Sequence, residues 1–199
     1  ASHGDQVVGE VNISQLYGGM RGILALITET SKLDPAEGIR FRGYTIPELQ
    51  EKLPTAPGGE EPLPEGVFYL MLFNELPSNE AVNALSREWA KRSEIPAHVT
   101  KVIDALPKDA HPMTQFVTGI MALRTESEFQ TAYHDGINKK DYWKPTYEDV
   151  MNLIARLPRV AAYIYRRTYH NDVHIAPDPS LDWGGNFAHM LGFKDEEFR

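Results

Sequence analysis

The residues Gly18-Gly19-Met20-Arg21-Gly22 hold the most suggestive chemistry in this sequence. Glycines let a backbone approach an anion closely, and an arginine among them adds a fork of donors. The same residues also suit an ordinary tight turn with a surface arginine, and on the residues alone that plainer reading comes first. The stretch is not a Walker loop, because no Gly-Lys-Ser/Thr follows. Lys139-Lys140 comes after His134-Asp135-Gly136, in an expected loop between two helices. A phosphate contact there competes with a solvated lysine pair.

Histidines and clustered acids are the other chemistry-bearing types. His170 and His174 are four apart, as two ligands on one helix would be. Asn171-Asp172 between them reads as a turn, and no third ligand has helical spacing, so no metal site is assigned. His111, before Pro112, reads as a helix cap or a structural hydrogen-bond partner. His189 reads as a packed or partly exposed side chain. Glu60, Glu61 and Glu65 form one acidic cluster, and Asp195, Glu196 and Glu197 another. Paired acids do acid–base work when burial separates their pKa values. Nothing in the pattern indicates burial, so both are expected on solvated faces or helix starts. Neither a Gly-x-Ser-x-Gly elbow nor a Gly-x-Gly-x-x-Gly fingerprint occurs.

The elements that would position these residues are mostly helices. Thr45 and Glu48 fit a capping box, followed by Ile46, Leu49 and Leu53 at spacings of 3 and 4. Pro64 opens a helix whose body, residues 67–73, is apolar on every side, which predicts full burial. Ser78 caps a helix carrying Val82, Leu85 and Trp89 on one stripe. Residues 97–106 form a shorter helix, and Pro112 begins another with Phe116, Ile120 and Leu123 on one face. Thr146 is expected to cap a long helix reaching Ile164, with a kink at Pro158. Asp182 caps a last helix over residues 183–191, stopped by Gly192. Strand signal is weak, with short strands expected at residues 6–13 and 24–28. Residues 54–64, PTAPGGEEPLP, are a turn-rich loop. The fold class is therefore all-α with short strands near the N-terminus. Lys194-Asp195-Glu196-Glu197 reads as the start of a further helix, so the domain is expected to be incomplete within residues 1–199.

Composition bounds the partners. The 199 residues are 42% hydrophobic and 24% charged, which is globular rather than disordered. A net charge of −8 disfavours non-specific binding to nucleic acid or an anionic membrane. The absence of cysteine excludes disulfides, thiolate metal sites and cysteine nucleophiles. No apolar run approaches the roughly 20 residues that span a bilayer. Ala1-Ser2-His3-Gly4-Asp5 does not read as a signal or transit peptide, although a removed presequence could precede it.

Six stretches carry a resemblance to a known family. They are GGMRG at 18–22, ETSKLDPAEGIRFRGYTIPELQ at 29–50, PLPEG at 62–66, AHPMTQF at 110–116, YWKPTYEDVMNLIARLPRVAA at 142–162 and LDWGGNFAHMLGF at 181–193. In order and nearly throughout, the chain resembles citrate synthases of the eukaryotic mitochondrial type, plant-like in places. The LDPAEGIRFRG and HPMTQF motifs are shared with methylcitrate synthases. Asn74 stands where the family usually has Gly, and Asn also adopts the left-handed conformation that ends a helix.

The resemblance implies the N-terminal part of the large helical domain, in the body of a homodimer. Helices matching about residues 111–127 and 143–169 would pack against their copies. The family condenses acetyl-CoA with oxaloacetate and water to citrate and CoA in the mitochondrial matrix, without a metal. Its catalytic residues lie in later motifs, Ser-Asp-His, Gly-x-Gly-His and an Asp with arginines beyond. None of those motifs occurs here, so no catalytic residue is assigned. Two CoA-site positions carry over. The Arg of GMRG, a CoA-phosphate contact, matches Arg21, and a basic position from the other subunit matches Lys139. Lysine keeps the charge and loses the planar fork. Arg40 and Arg42 are expected to form structural ion pairs. By this resemblance the chain is a part of a citrate synthase, inactive alone, with a second polypeptide supplying the C-terminal half. The alternatives are a non-catalytic assembly subunit derived from the enzyme, or a part of a 2-methylcitrate synthase.

Overall fold

A computed structural model describes residues 3–24 and 27–195. Within them the chain is helical apart from one small sheet. Helix α1 is Ile13–Tyr17, and strands β1 (Ser31–Asp34), β2 (Gly38–Phe41) and β3 (Tyr44–Thr45) follow. Then come α2 (Ile46–Lys52), α3 (Pro64–Phe73), α4 (Asn79–Arg92), α5 (Ala97–Asp104), α6 (Pro112–Leu123), α7 (Glu128–His134), α8 (Trp143–Tyr169) and α9 (Trp183–Leu191).

The strands lie elsewhere than expected. Residues 6–12 are irregular and Ile13 starts a helix, while residues 24, 27 and 28 are irregular and 25–26 lie outside the described residues. The sheet is an antiparallel meander, with Ser31 opposite Phe41 and Arg40 opposite Thr45. Turn chemistry sets it. Asp34 Oδ1 accepts from the backbone N–H of Ala36 and Glu37 at 2.9 and 3.2 Å, and that turn pins β1 to β2. Arg42 and Gly43 then take φ of 50° and 89°, the paired left-handed residues of a two-residue hairpin turn. Arg42 has no carboxylate partner among the described residues, contrary to expectation. Its guanidinium donates to the Met71 carbonyl at 3.2 and 2.6 Å and so caps the end of α3. Arg40 does pair, with Glu37 at 3.1 Å.

Most helix boundaries follow their caps. Thr45 and Glu48 form the reciprocal box, Ser78 and Asp182 accept from the third helical N–H, and His111 Nδ1 accepts from Met113 N. Asn74 at φ 60° and Gly192 at φ 108° end α3 and α9. Thr146 is not a cap. α8 begins at Trp143, and the Thr146 hydroxyl donates back to the Tyr142 carbonyl.

Three apolar clusters hold the helices. Val99, Ile103, Leu123, Val160 and Ile164 join α5, α6 and α8. Leu49, Leu53 and Leu70 join α2 to α3. Trp89, Met151 and Ala155 join α4 to α8, and the Trp89 ring lies 5.2 Å from Phe68 and 6.3 Å from Trp183. The α3 helix is not buried all round. Glu65, Gly66 and Leu70 face inward, whereas Leu72 and Phe73 are exposed. Its second inward residue is a glycine, and a Cβ there would lie 3.2 Å from Leu53 Cδ2, a tight contact.

Two of the buried polar side chains, Arg167 and Gln115, pair with each other. Arg167 is 3% exposed and bonds Gln115 Oε1 at 2.8 Å, the Leu106 carbonyl at 2.5 Å and Asp104 at 3.4 Å, tying α5, α6 and α8 together. α8 continues through Pro158, whose missing N–H would have bonded the Ile154 carbonyl. The Trp183 indole N–H takes that carbonyl at 2.9 Å.

Candidate functional site

The Gly18–Gly22 turn is built on α1. Asn12 and Gln15 cap the helix reciprocally. The chain then folds back, with Gly18 N bonding Ser14 O at 2.9 Å and Met20 N bonding Gln15 O at 2.8 Å. The Gln15 side chain reaches forward to Gly22 O at 3.3 Å and closes the turn. Gly19, Met20 and Gly22 have φ of 74°, 62° and 75°. Only the glycines take such angles freely, so the turn depends on them and strains at Met20. Arg21 projects from it, exposed, with no hydrogen bond or ion pair among the described residues. A guanidinium held on a closed turn and left without a partner is suited to an anionic group from outside.

Lys139 starts a short 3-10 turn, Lys139–Asp141, entered through Gly136 at φ 78°. Asn138 caps it by accepting from Lys140 N at 3.1 Å, and Asp141 pairs with Lys144 at 2.9 Å. Lys139 is exposed and carries no ion pair among the described residues. No hydrogen bond or ion pair links Lys139 to Arg21. The two positions lie on different parts of the chain's surface chemistry, a glycine turn beside α1 and a loop before α8.

The histidine pair does not converge. Asn171 and Asp172 both have positive φ, at 52° and 60°. The turn they make sends His174 onto the Tyr163 ring, stacked at 4.1 Å, while His170 contacts Tyr165. No group of three or more His, Asp or Glu residues converges as a metal site among the described residues. His189 Nε2 lies 3.1 Å from the Ala176 carbonyl.

Glu65 lies at a helix start, as expected for its cluster, but it is buried rather than solvated. It is fully buried, with Oε1 accepting from the Ser86 hydroxyl at 2.5 Å and from Trp183 N at 3.4 Å. Its other oxygen has no partner. Burial pushes its pKa up, the two hydrogen bonds oppose this, and the nearby Asp182 carboxylate adds to it. The signal available in the sequence was its place in the first turn of an otherwise apolar helix. Of the second acidic group, residues 196–197 lie outside the described residues, as does the helix expected there.

The mainly helical scaffold carries a glycine turn that presents Arg21, and sequence comparison gives the family of the chain. A family profile described as citrate synthase, C-terminal domain, matches residues 19–199, and the chain belongs to the citrate synthase family. It is 56% identical over its whole length to citrate synthase 4, mitochondrial, of Arabidopsis thaliana, covering 42% of that protein. It is 58% identical over 97% of its length to the mitochondrial citrate synthase of Daucus carota and 52% identical over 98% to that of Xiphias gladius. The chain thus spans about two fifths of these relatives, 41% to 42% of their length. In structure it is similar to the citrate synthase of Pyrobaculum aerophilum, with a TM-score of 0.73 and 25% identity over 88% of this chain and 42% of that one. The fold also matches the Thermoplasma acidophilum enzyme solved with carboxymethyl coenzyme A and oxaloacetate, at a TM-score of 0.69 and 20% identity, over 89% of this chain and 42% of that one.

Proposed function

We propose that this chain is the N-terminal part of the large domain of a citrate synthase working in the mitochondrial matrix. The whole enzyme condenses acetyl-CoA with oxaloacetate and water to citrate and CoA. This segment supplies scaffold, dimer face and CoA-phosphate contacts, and the catalytic groups belong to the part of the enzyme outside residues 1–199. The chain alone is inactive. The observation that carries this reading is identity of 56% along all 199 residues to a mitochondrial citrate synthase, with the glycine turn presenting an unpartnered Arg21.

In this reading Arg21 binds a CoA phosphate through two parallel N–H bonds, while Lys139 adds a point charge from the other subunit. The exposed side of α6 carries Met113, Val117 and Met121, and it faces the second copy. No helix among the described residues is long and apolar enough to cross a membrane.

Reassembly with the complementary C-terminal segment tests the reading. Condensation is expected to return. Arg21→Gln is then expected to raise KM for acetyl-CoA about tenfold, the loss of one charge-assisted contact, with kcat changed less. A folded, associated pair without turnover refutes the assignment.

A further inference from the structure

Arg159 is half-buried, and like Arg42 and Arg166 it has no ion pair among the described residues, but it makes a single hydrogen bond where each of those makes two. Its Nη1 donates to the Ser93 carbonyl at 3.3 Å, and no carboxylate of the described residues lies within ion-pair distance. Arg92, Arg156 and Arg167 each hold a carboxylate. Glu94 acts on Arg159 only from a distance, and burial holds its pKa below the ordinary arginine value. A cation withdrawn from water without an anion is costly unless a ligand completes it.

Arg159 lines an open pocket of about 400 Å³ between α5, α8 and residues 174–177. Arg166, two turns along α8, lines the same pocket. Its Nε and Nη1 are anchored on the carbonyls of Val173 and Leu191, at 2.7 and 3.1 Å, which fixes the guanidinium plane. Seven residues of helix separate the two positions by about 10 Å along the axis. Tyr163 stands between them with His174 stacked on it, a flat wall rather than a donor. The Tyr163 hydroxyl is turned away and donates to Asp104, whose charge is in turn held by Arg167.

We propose that Arg159 and Arg166 form a binding site for a small dianion carrying two phosphate or carboxylate groups, one at each guanidinium. The spacing selects a two-headed anion over a single phosphate. The site is separate from the glycine turn and from Lys139, and neither of those lines the pocket.

Titration calorimetry of the 199-residue chain at fixed ionic strength tests this, with phosphate, pyrophosphate and glutarate as probes. Pyrophosphate or glutarate is expected to bind at least about tenfold more tightly than phosphate, which fills one guanidinium. Whichever of the two binds better identifies the headgroup, phosphate or carboxylate. Arg159→Gln is expected to weaken that binding about tenfold, Arg159→Lys less, and the exposed Arg87→Gln not at all. Unfolding curves of each variant separate a lost site from a lost fold, and Arg159→Lys keeps the charge in the fold if Arg159→Gln unfolds. No saturable binding, or equal affinity in wild type and a folded Arg159→Gln or Arg159→Lys variant, overturns the proposal. So does loss of pyrophosphate and glutarate binding when the complementary C-terminal segment is added.

Discussion

Glu65 sets one oxygen between Ser86 and Trp183 and leaves the other bare inside the protein. Burial raises its pKa above the ordinary 4.5, so the folded chain holds this proton more tightly than the unfolded one. Stability contributed by the protonated form is present below 4.5 and is lost as pH rises through the folded value. Asp34, Glu48, Glu88 and Asp172 act the other way, since hydrogen bonds lower their pKa values and their contribution is lost in acid. Glu65→Gln isolates the first effect. Raising pH from 4.5 to neutral is expected to lower the melting temperature of the wild type relative to the variant. Parallel melting curves across that range refute it. The sequence placed Glu65 with Glu60 and Glu61 on a solvated face or helix start and missed its burial, because charge clustering carries no information about which helix face turns inward. The Gly18–Gly22 turn was legible for the opposite reason. Glycine spacing is a local signal, and its consequences, positive φ at Gly19 and Gly22, are local too.

At the scale of elements, Pro158 and Trp183 act as a pair. The proline frees the Ile154 carbonyl and the indole N–H of α9 takes it, so one residue's missing donor becomes the other's docking point. Trp183→Phe removes the donor and is expected to cost about 1–3 kcal/mol, much of it from the carbonyl left bare. In a Pro158→Ala background the helix supplies its own N–H, and Trp183→Phe is expected to cost less. A double-mutant cycle by urea unfolding measures the difference, and additive costs refute the pairing. Gly119 marks a close crossing between α5, α6 and α8. A Cβ there would lie 3.0 Å from Ile103 Cδ1 and 3.1 Å from Val160 Cγ1. Gly119→Ala is expected to destabilise by roughly 1–3 kcal/mol in the same assay, despite alanine's better helix propensity. The caps at Thr45, Ser78, His111 and Asp182 were readable because capping is a contact within four residues. The sheet was not, because turns at residues 34–38 and 42–43 decide it and the flanking strands have only four, four and two residues. The indole bond to Ile154 spans 29 residues, and no local pattern announces it.

Across the whole molecule, α6 divides its residues by side. Gln115, Gly119 and Leu123 are buried, while Met113, Val117 and Met121 are 56%, 53% and 56% exposed. Both series repeat every four residues, so the outward stripe runs the length of the helix. Three large apolar side chains on one stripe, with the exposed Leu153 of α8 beside Met121, form a surface that association would cover. The proposed dimer does so by setting α6 and α8 against their copies, as the isologous contact of a twofold requires. Val117 lies at the middle of the stripe. Val117→Glu puts a charge on each side of the axis, where the two copies repel and neither charge finds a partner. Sedimentation equilibrium is expected to show a dimer for the wild type and at least a tenfold weaker association for the variant, about 1.4 kcal/mol. Because the side chain points outward, helicity by circular dichroism should stay the same. A wild-type monomer, or a Val117→Glu dimer of undiminished affinity, would assign the stripe to another segment of the longer enzyme, and protection of Met113 and Met121 from oxidation on adding that segment would then locate it.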